Sequence, residues 1–178
     1  SATPKAITFT ANAINDATSL RVWRRHADGR LAALTNEPGV HWMTERGPAT
    51  VMRSASMDKP GATVTVNSAH DTTHAHIIES FTEIPLVAPD VQFFRTDETG
   101  LSVALLLPHD HGTRHGGGPL PVLLDPYGGP HALRVQRTNN AFVTSQWFAD
   151  QGFAVVVTDG RGTPGRGSAW ERAVSGDL

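Results

Sequence analysis

Leu120-Pro121-Val122-Leu123-Leu124-Asp125-Pro126-Tyr127-Gly128-Gly129-Pro130 is a short apolar run that stops in a turn. A run of this kind, bounded by proline and glycine, is the pattern of a buried strand. Phe153-Ala154-Val155-Val156-Val157-Thr158 repeats it with β-branched residues and stops at Asp159-Gly160. Between the two, Ala141, Phe142, Ser145, Phe148 and Ala149 recur at helical spacing over 140–151, and Gly152 supplies the C-terminal stop. Strand, turn, helix and strand in that order form a βαβ unit, hence a parallel sheet with a right-handed crossover.

Working outward, Val91-Gln92-Phe93-Phe94-Arg95 and Leu101-Ser102-Val103-Ala104-Leu105-Leu106-Leu107 predict a hairpin ahead of this unit, with a glycine-rich loop at 108–119. Residues 169–174 open a further helix. The N-terminal part has another rhythm. Ala6-Ile7-Thr8-Phe9-Thr10-Ala11 and Leu20-Arg21-Val22-Trp23-Arg24 alternate at period 2, Asp28-Gly29 supplies a hairpin turn, and Leu31-Ala32-Ala33-Leu34-Thr35 returns. Strands at 40–43, 50–55 and 62–66 follow, separated by Pro38-Gly39, Glu45-Arg46-Gly47 and Lys59-Pro60-Gly61 turns. Five or six short strands at this spacing suggest a meander from a sandwich, barrel or propeller. Residues 67–88 read as connecting chain. Up to Ile84 lie 4 of the 17 glycines and 4 of the 12 prolines, and beyond it the other 13 and 8. That shift divides the chain into an all-β part at 1–84, a connector at 85–90 and an α/β part at 91–178.

Composition removes several functions. With Cys at 0, disulfides, thiol catalysis and zinc–cysteine sites are excluded. Lys plus Arg is 15 and Asp plus Glu is 17, signs mixed, so the basic stripe of a nucleic-acid binder is missing. Arg24-Arg25-His26, the densest positive spot, reads as a solvated strand or turn. No apolar run approaches the roughly 20 residues of a membrane span. The expectation is a soluble chain, cytoplasmic or secreted, with no membrane and no nucleic-acid partner.

Tyr127, the sole tyrosine, directly follows a buried strand. Ligands of open α/β sheets bind at strand C-terminal ends, and a hydroxyl there could donate to a developing oxyanion, as glycine-rich loops do in α/β-hydrolases. From the pattern alone, a tight turn with a buried tyrosine is the favoured reading. Asp159-Gly160-Arg161-Gly162-Thr163-Pro164-Gly165-Arg166-Gly167 lacks the phosphate-binding and dinucleotide spacings and reads as a structural loop with an Asp–Arg pair or helix cap. His70, His74 and His76, and His109, His111 and His115, cluster without metal-ligand spacing, so neither a metal nor another cofactor is expected. No serine stands in Gly-x-Ser-x-Gly; Ser168 follows Gly167 in a loop.

Asp125-Pro126-Tyr127-Gly128-Gly129-Pro130 followed by Asp159-Gly160-Arg161-Gly162 resembles the prolyl oligopeptidase family of serine peptidases, in its dipeptidyl peptidase IV-like branch. There, Asp-x-Tyr-Ala/Gly-Gly-Pro and Asp-Gly-Arg-Gly recur at this spacing. The resemblance is strong over about 91–178 and looser before. It implies a mixed fold: the last part of a β-propeller (a blade remnant), then the first βαβ portion of an α/β-hydrolase domain. It implies a peptide substrate, an acyl-enzyme mechanism and an oxyanion-hole role for Tyr127. In the family the nucleophile lies further on, in Gly-Trp-Ser-Tyr-Gly-Gly, with the triad Asp and His later still. The chain is therefore expected to be inactive alone and to associate with the remainder of an enzyme or with itself. The rival expectation is a non-catalytic module that pairs its open sheet edges with another chain.

Overall fold

The structure, a computed structural model, describes residues 2–3, 6–13, 15–68, 71–113 and 116–176. It divides into two compact units, Ser1–Ile84 and Pro85–Leu178.

The first unit is all β. Strands β1 (Ala2–Thr3), β2 (Ala6–Ala13), β3 (Asp16–His26) and β4 (Leu31–Ala33) pair antiparallel in sequence, and β5 (Val40–Arg46), β6 (Ala49–Ala55), β7 (Thr63–Ser68) and β8 (Asp71–Ile78) form a second antiparallel meander. One parallel pair, Leu20 with Val40, joins β3 to β5. Four antiparallel strands in succession are the unit of a propeller blade, and β1–β4 are part of a second such meander. Val22 and Val40 are enclosed, and Ala13, Trp23 and Ala55 are buried; Val22 and Trp23, consecutive in β3, point to opposite faces, so this strand is covered on both sides there. Gly39 is required at the entry to β5, because a Cβ there would stand 2.5 Å from the Ala55 carbonyl oxygen.

Two sequence expectations change here. Residues 67–88 are not all connecting chain: Asp71–Ile78 is a strand paired with β7. Arg24 is not simply solvated, since its guanidinium pairs with Glu45 and its Nε donates to Thr8 Oγ1 at 3.2 Å.

The second unit holds a four-stranded sheet in the order β11-β12-β10-β9, built from β9 (Val91–Arg95), β10 (Ser102–Leu106), β11 (Val122–Tyr127) and β12 (Ala154–Asp159). The β9–β10 hairpin is antiparallel, β10 runs antiparallel to β12, and β12 is parallel to β11. This is the start of an α/β-hydrolase sheet, with β12 inserted between β10 and β11. The crossover helix α1 (Val143–Ala149) follows a 3-10 turn at Asn139–Ala141 and packs on β12 and β10. Gly152 ends the helical segment as expected, at φ +102, with its N–H bonded to the Ala149 carbonyl. The buried side of the helical segment differs from the expected stripe. Phe142, Ser145, Gln146 and Ala149 are enclosed, Phe142 edge-on to Phe93 at 5.6 Å, whereas Phe148 is partly exposed against Trp147. The opposite sheet face stays open at Val122, Leu124 and Phe94. A short helix α2 (Ser168–Glu171) and a 3-10 turn at Arg172–Val174 lie where the sequence opened a helix. No helix among the described residues is long and apolar enough to cross a membrane.

Candidate active site

Strand register aligns four residues across the sheet at the C-terminal ends of β11 and β12. Tyr127 pairs with Asp159, Asp159 with Ser102, and Ser102 with Arg95. All four share one face, because side chains in register point the same way. The two glycine turns that leave this edge pack directly on each other. Gly160 N–H donates to the Tyr127 carbonyl at 2.6 Å, and a Cβ on Gly160 would meet that oxygen at 3.3 Å and Gly128 Cα at 3.5 Å. Gly162, at φ +93, would push a Cβ to 2.7 Å from the Gly128 carbonyl oxygen and 2.5 Å from Val174 Cγ2. Thr163, fully enclosed, donates from Oγ1 to the Gly160 carbonyl at 2.8 Å and accepts from Trp170 Nε1 at 3.3 Å.

Tyr127 is half-buried, and its phenol folds back over the turn. An ideal Cβ on Gly129 would lie 2.9 Å from Tyr127 Oη and 3.1 Å from Cζ, so only glycine leaves the ring this position. The phenol Oη has no hydrogen-bond partner among the described residues, which leaves its O–H available as a donor.

Asp159 corrects the sequence reading of an Asp–Arg pair or cap. It is buried, and each carboxylate oxygen takes a backbone donor: Oδ1 from Arg134 N–H at 2.8 Å, Oδ2 from Val135 N–H at 2.9 Å. Burial pushes its carboxyl above the ordinary carboxylate value, against the pull of those two amides and of the Arg134 and Arg166 charges. The Arg134 guanidinium itself pairs with Asp125 on β11. Arg166 stacks on Trp170 at 3.5 Å; burial and the neighbouring Arg95 charge lower its pKa, opposed by Asp159.

The histidines go elsewhere. His109 Nδ1 lies 2.9 Å from Asp150 Oδ1, and its Nε2 lies 2.9 Å from the Ala88 carbonyl oxygen. Gln146 completes that cluster: its Oε1 accepts from Asp90 N–H, and its Nε2 donates to the Leu107 carbonyl and to Asp150. His70 and His115 lie outside the described residues, as does the side chain of His74. Among the described residues no group of three or more His, Asp or Glu is placed to hold a metal ion.

Residues 139–178 match the sequence model of the prolyl oligopeptidase family. Over that range the chain is similar to the prolyl oligopeptidase family. That segment contains Asp159, Gly160, Gly162 and Arg166, while Tyr127 lies upstream of the matched range. Among solved structures, the chain is similar to Porphyromonas gingivalis dipeptidyl peptidase 4, with a TM-score of 0.74, 20% sequence identity and 95% of this chain covered. The chain spans 25% of the length of that protein's chain. The shared architecture is the fold described above, a blade remnant followed by the opening of an α/β-hydrolase sheet. The sequence placed Tyr127 at the end of a strand, and β11 ends there. It missed the Asp159 grip on 134–135 and the buried Gln146, since neither partner set is local in sequence.

Proposed function

We propose that this chain is the part of a serine peptidase that supplies an oxyanion-hole donor, Tyr127. Residues 1–84 would close a propeller, 85–90 connect, and 91–178 begin the peptidase domain. The observation that carries the reading is the Tyr127 phenol, which is folded over Gly129 at the C-terminal end of β11 with its O–H uncommitted. The chemistry is acyl transfer from a peptide. A serine Oγ attacks the scissile carbonyl carbon, the carbonyl π electrons move to oxygen, and the Tyr127 O–H donates to that oxyanion. Collapse of the intermediate breaks the C–N bond, the amine leaves with a proton, and water then releases the acyl group. The serine is proposed to stand in a Gly-x-Ser-x-Gly elbow, which these 178 residues do not contain. The similarity to a structure titled dipeptidyl peptidase 4 supports a dipeptide-releasing, proline-directed specificity as the working choice. The test is labelling with a fluorophosphonate together with X-Pro arylamide turnover. The 178-residue chain is expected to show neither, and stoichiometric labelling of it would overturn the proposal.

A second reading, a non-catalytic interaction module, is favoured by one observation. Strand β11 has β12 on one side only among the described residues, and the sheet exposes Val122, Leu124 and Phe94. Light scattering separates the two. A tight complex with a polypeptide carrying Gly-x-Ser-x-Gly supports the enzyme, and a stable lone monomer supports the module.

A further inference from the structure

The turn that carries Tyr127 is closed at both ends by one dipeptide, Asp159-Gly160, at the end of the neighbouring strand. At its start, the Tyr127 carbonyl accepts from Gly160 N–H at 2.6 Å. At its far end, the Arg134 and Val135 amides donate to the two oxygens of Asp159 at 2.8 and 2.9 Å. Residues 128–133 are thus a loop whose two ends rest on the last residue of β12 and the glycine that follows it. Residue 134 is tied twice, by its amide to Asp159 and by its guanidinium to Asp125, which lies two residues before Tyr127 and on the same face of β11.

We propose that Asp159 is a positioning residue for Tyr127: its ionised carboxylate holds the far end of the 128–133 loop and so fixes where the phenol points. The proposal rests on the oxyanion reading of Tyr127 for its functional meaning, while the structural link stands on the bonds just given.

An ionised carboxylate satisfies both amides with full acceptor strength. Protonation leaves the hydroxyl oxygen a much weaker acceptor for the second N–H, and an asparagine amide turns a donor toward it. Asp159 therefore couples the loop to its own protonation. The charged groups facing it are Arg134 from the loop after β11 and Arg166 from the loop after β12, with Arg95 of β9 behind Arg166. Beside it in register stand Tyr127 and Ser102. Burial raises its carboxyl above the ordinary value of 3.8.

Because Tyr127 is the sole tyrosine, its ring resonances can be read alone in a tyrosine-labelled chain. In the wild-type chain the ring signals are expected to shift in one sigmoidal step as pH falls, with the midpoint of the Asp159 carboxyl carbon. In Asp159→Asn they should already be shifted at neutral pH and the acid step should vanish, while Val155 and Val157 methyls stay in place. If the ring signals ignore the Asp159 titration, or are unchanged in Asp159→Asn with the β12 methyls intact, the proposal is overturned. If Asp159→Asn fails to fold, the wild-type titration decides by itself. None of these readouts uses hydrolysis. A Tyr127 that follows Asp159 but can be removed without loss of turnover would refute the oxyanion reading and leave the positioning intact.

Discussion

Replacing Gly162 by alanine should damage the β11–β12 edge far more than the same change at Gly167. Both glycines hold positive φ, +93 and +88, and Gly167, at ψ 158, lies in a region that only glycine readily occupies, so each alanine carries about 1–3 kcal/mol of backbone strain. Their surroundings differ. At Gly167 nothing lies within 4 Å of the new methyl, whereas at Gly162 it would stand 2.5 Å from Val174 Cγ2 and 2.7 Å from the Gly128 carbonyl oxygen. The valine can turn aside; the carbonyl belongs to the Tyr127 turn and moves only if that turn moves. Overpacking of this kind costs about 1–3 kcal/mol. Gly162→Ala should therefore destabilise the second unit by roughly 2–6 kcal/mol and Gly167→Ala by roughly 1–3. Amide exchange at Val155 and Val157 reads the opening free energy of this unit directly, without assuming that both units unfold together. Two variants agreeing within about 0.5 kcal/mol would refute the backbone-on-backbone packing argued for these turns.

Gln146→Leu should loosen the start of the second unit, because the Asp90 amide and the Leu107 carbonyl lose their partner at a fully enclosed site. The expected cost is about 1–3 kcal/mol per orphaned group, read by amide exchange in β9 and α1. Asp150 gives a pH prediction of definite sign. Burial pushes its carboxyl upward, but the His109 amide, the Gln146 amide and the His109 ring together hold it below the ordinary value of 3.8. Its contribution to stability is present above that value and is lost as pH falls through the lower folded value. Asp150→Asn should flatten the acid loss of stability in that window, as followed by β12 amide protection. An unchanged acid limb would contradict the assignment.

The strands that decide the second unit were readable because burial leaves a local mark. The β-branched run ending at Asp159 is a strand, and the apolar run ending at Tyr127 is its parallel neighbour, shifted by two residues toward the tyrosine. Strand β8 left no such mark. Its sequence, Asp71-Thr72-Thr73-His74-Ala75-His76-Ile77-Ile78, has little apolar alternation, and Ile77 and Ile78 remain exposed. Ladder hydrogen bonds to β7 define it, and those are visible only once β7 is in place. Gln146 was hidden for a related reason: a polar residue on a helix reads as solvent-facing until its partners, at 90, 107, 109 and 150, converge on it. Asp159 looked like a loop residue with an arginine nearby. Its partners are backbone amides 24 and 25 residues back, and a backbone amide has no side-chain signature in sequence.

The measurement closest to the central claim is the turnover of Tyr127→Phe in a polypeptide that joins this chain to the rest of a peptidase domain, carrying the Gly-x-Ser-x-Gly serine and the triad Asp and His. Loss of one oxyanion donor lowers kcat by about 10²–10³. Substrate affinity should change little, since the donor acts on charge that develops only in the transition state. That fall in kcat at near-constant KM, on an X-Pro arylamide, is the predicted result. Full turnover by the phenylalanine variant would contradict the account, because the hydroxyl is the one chemical group that the substitution removes.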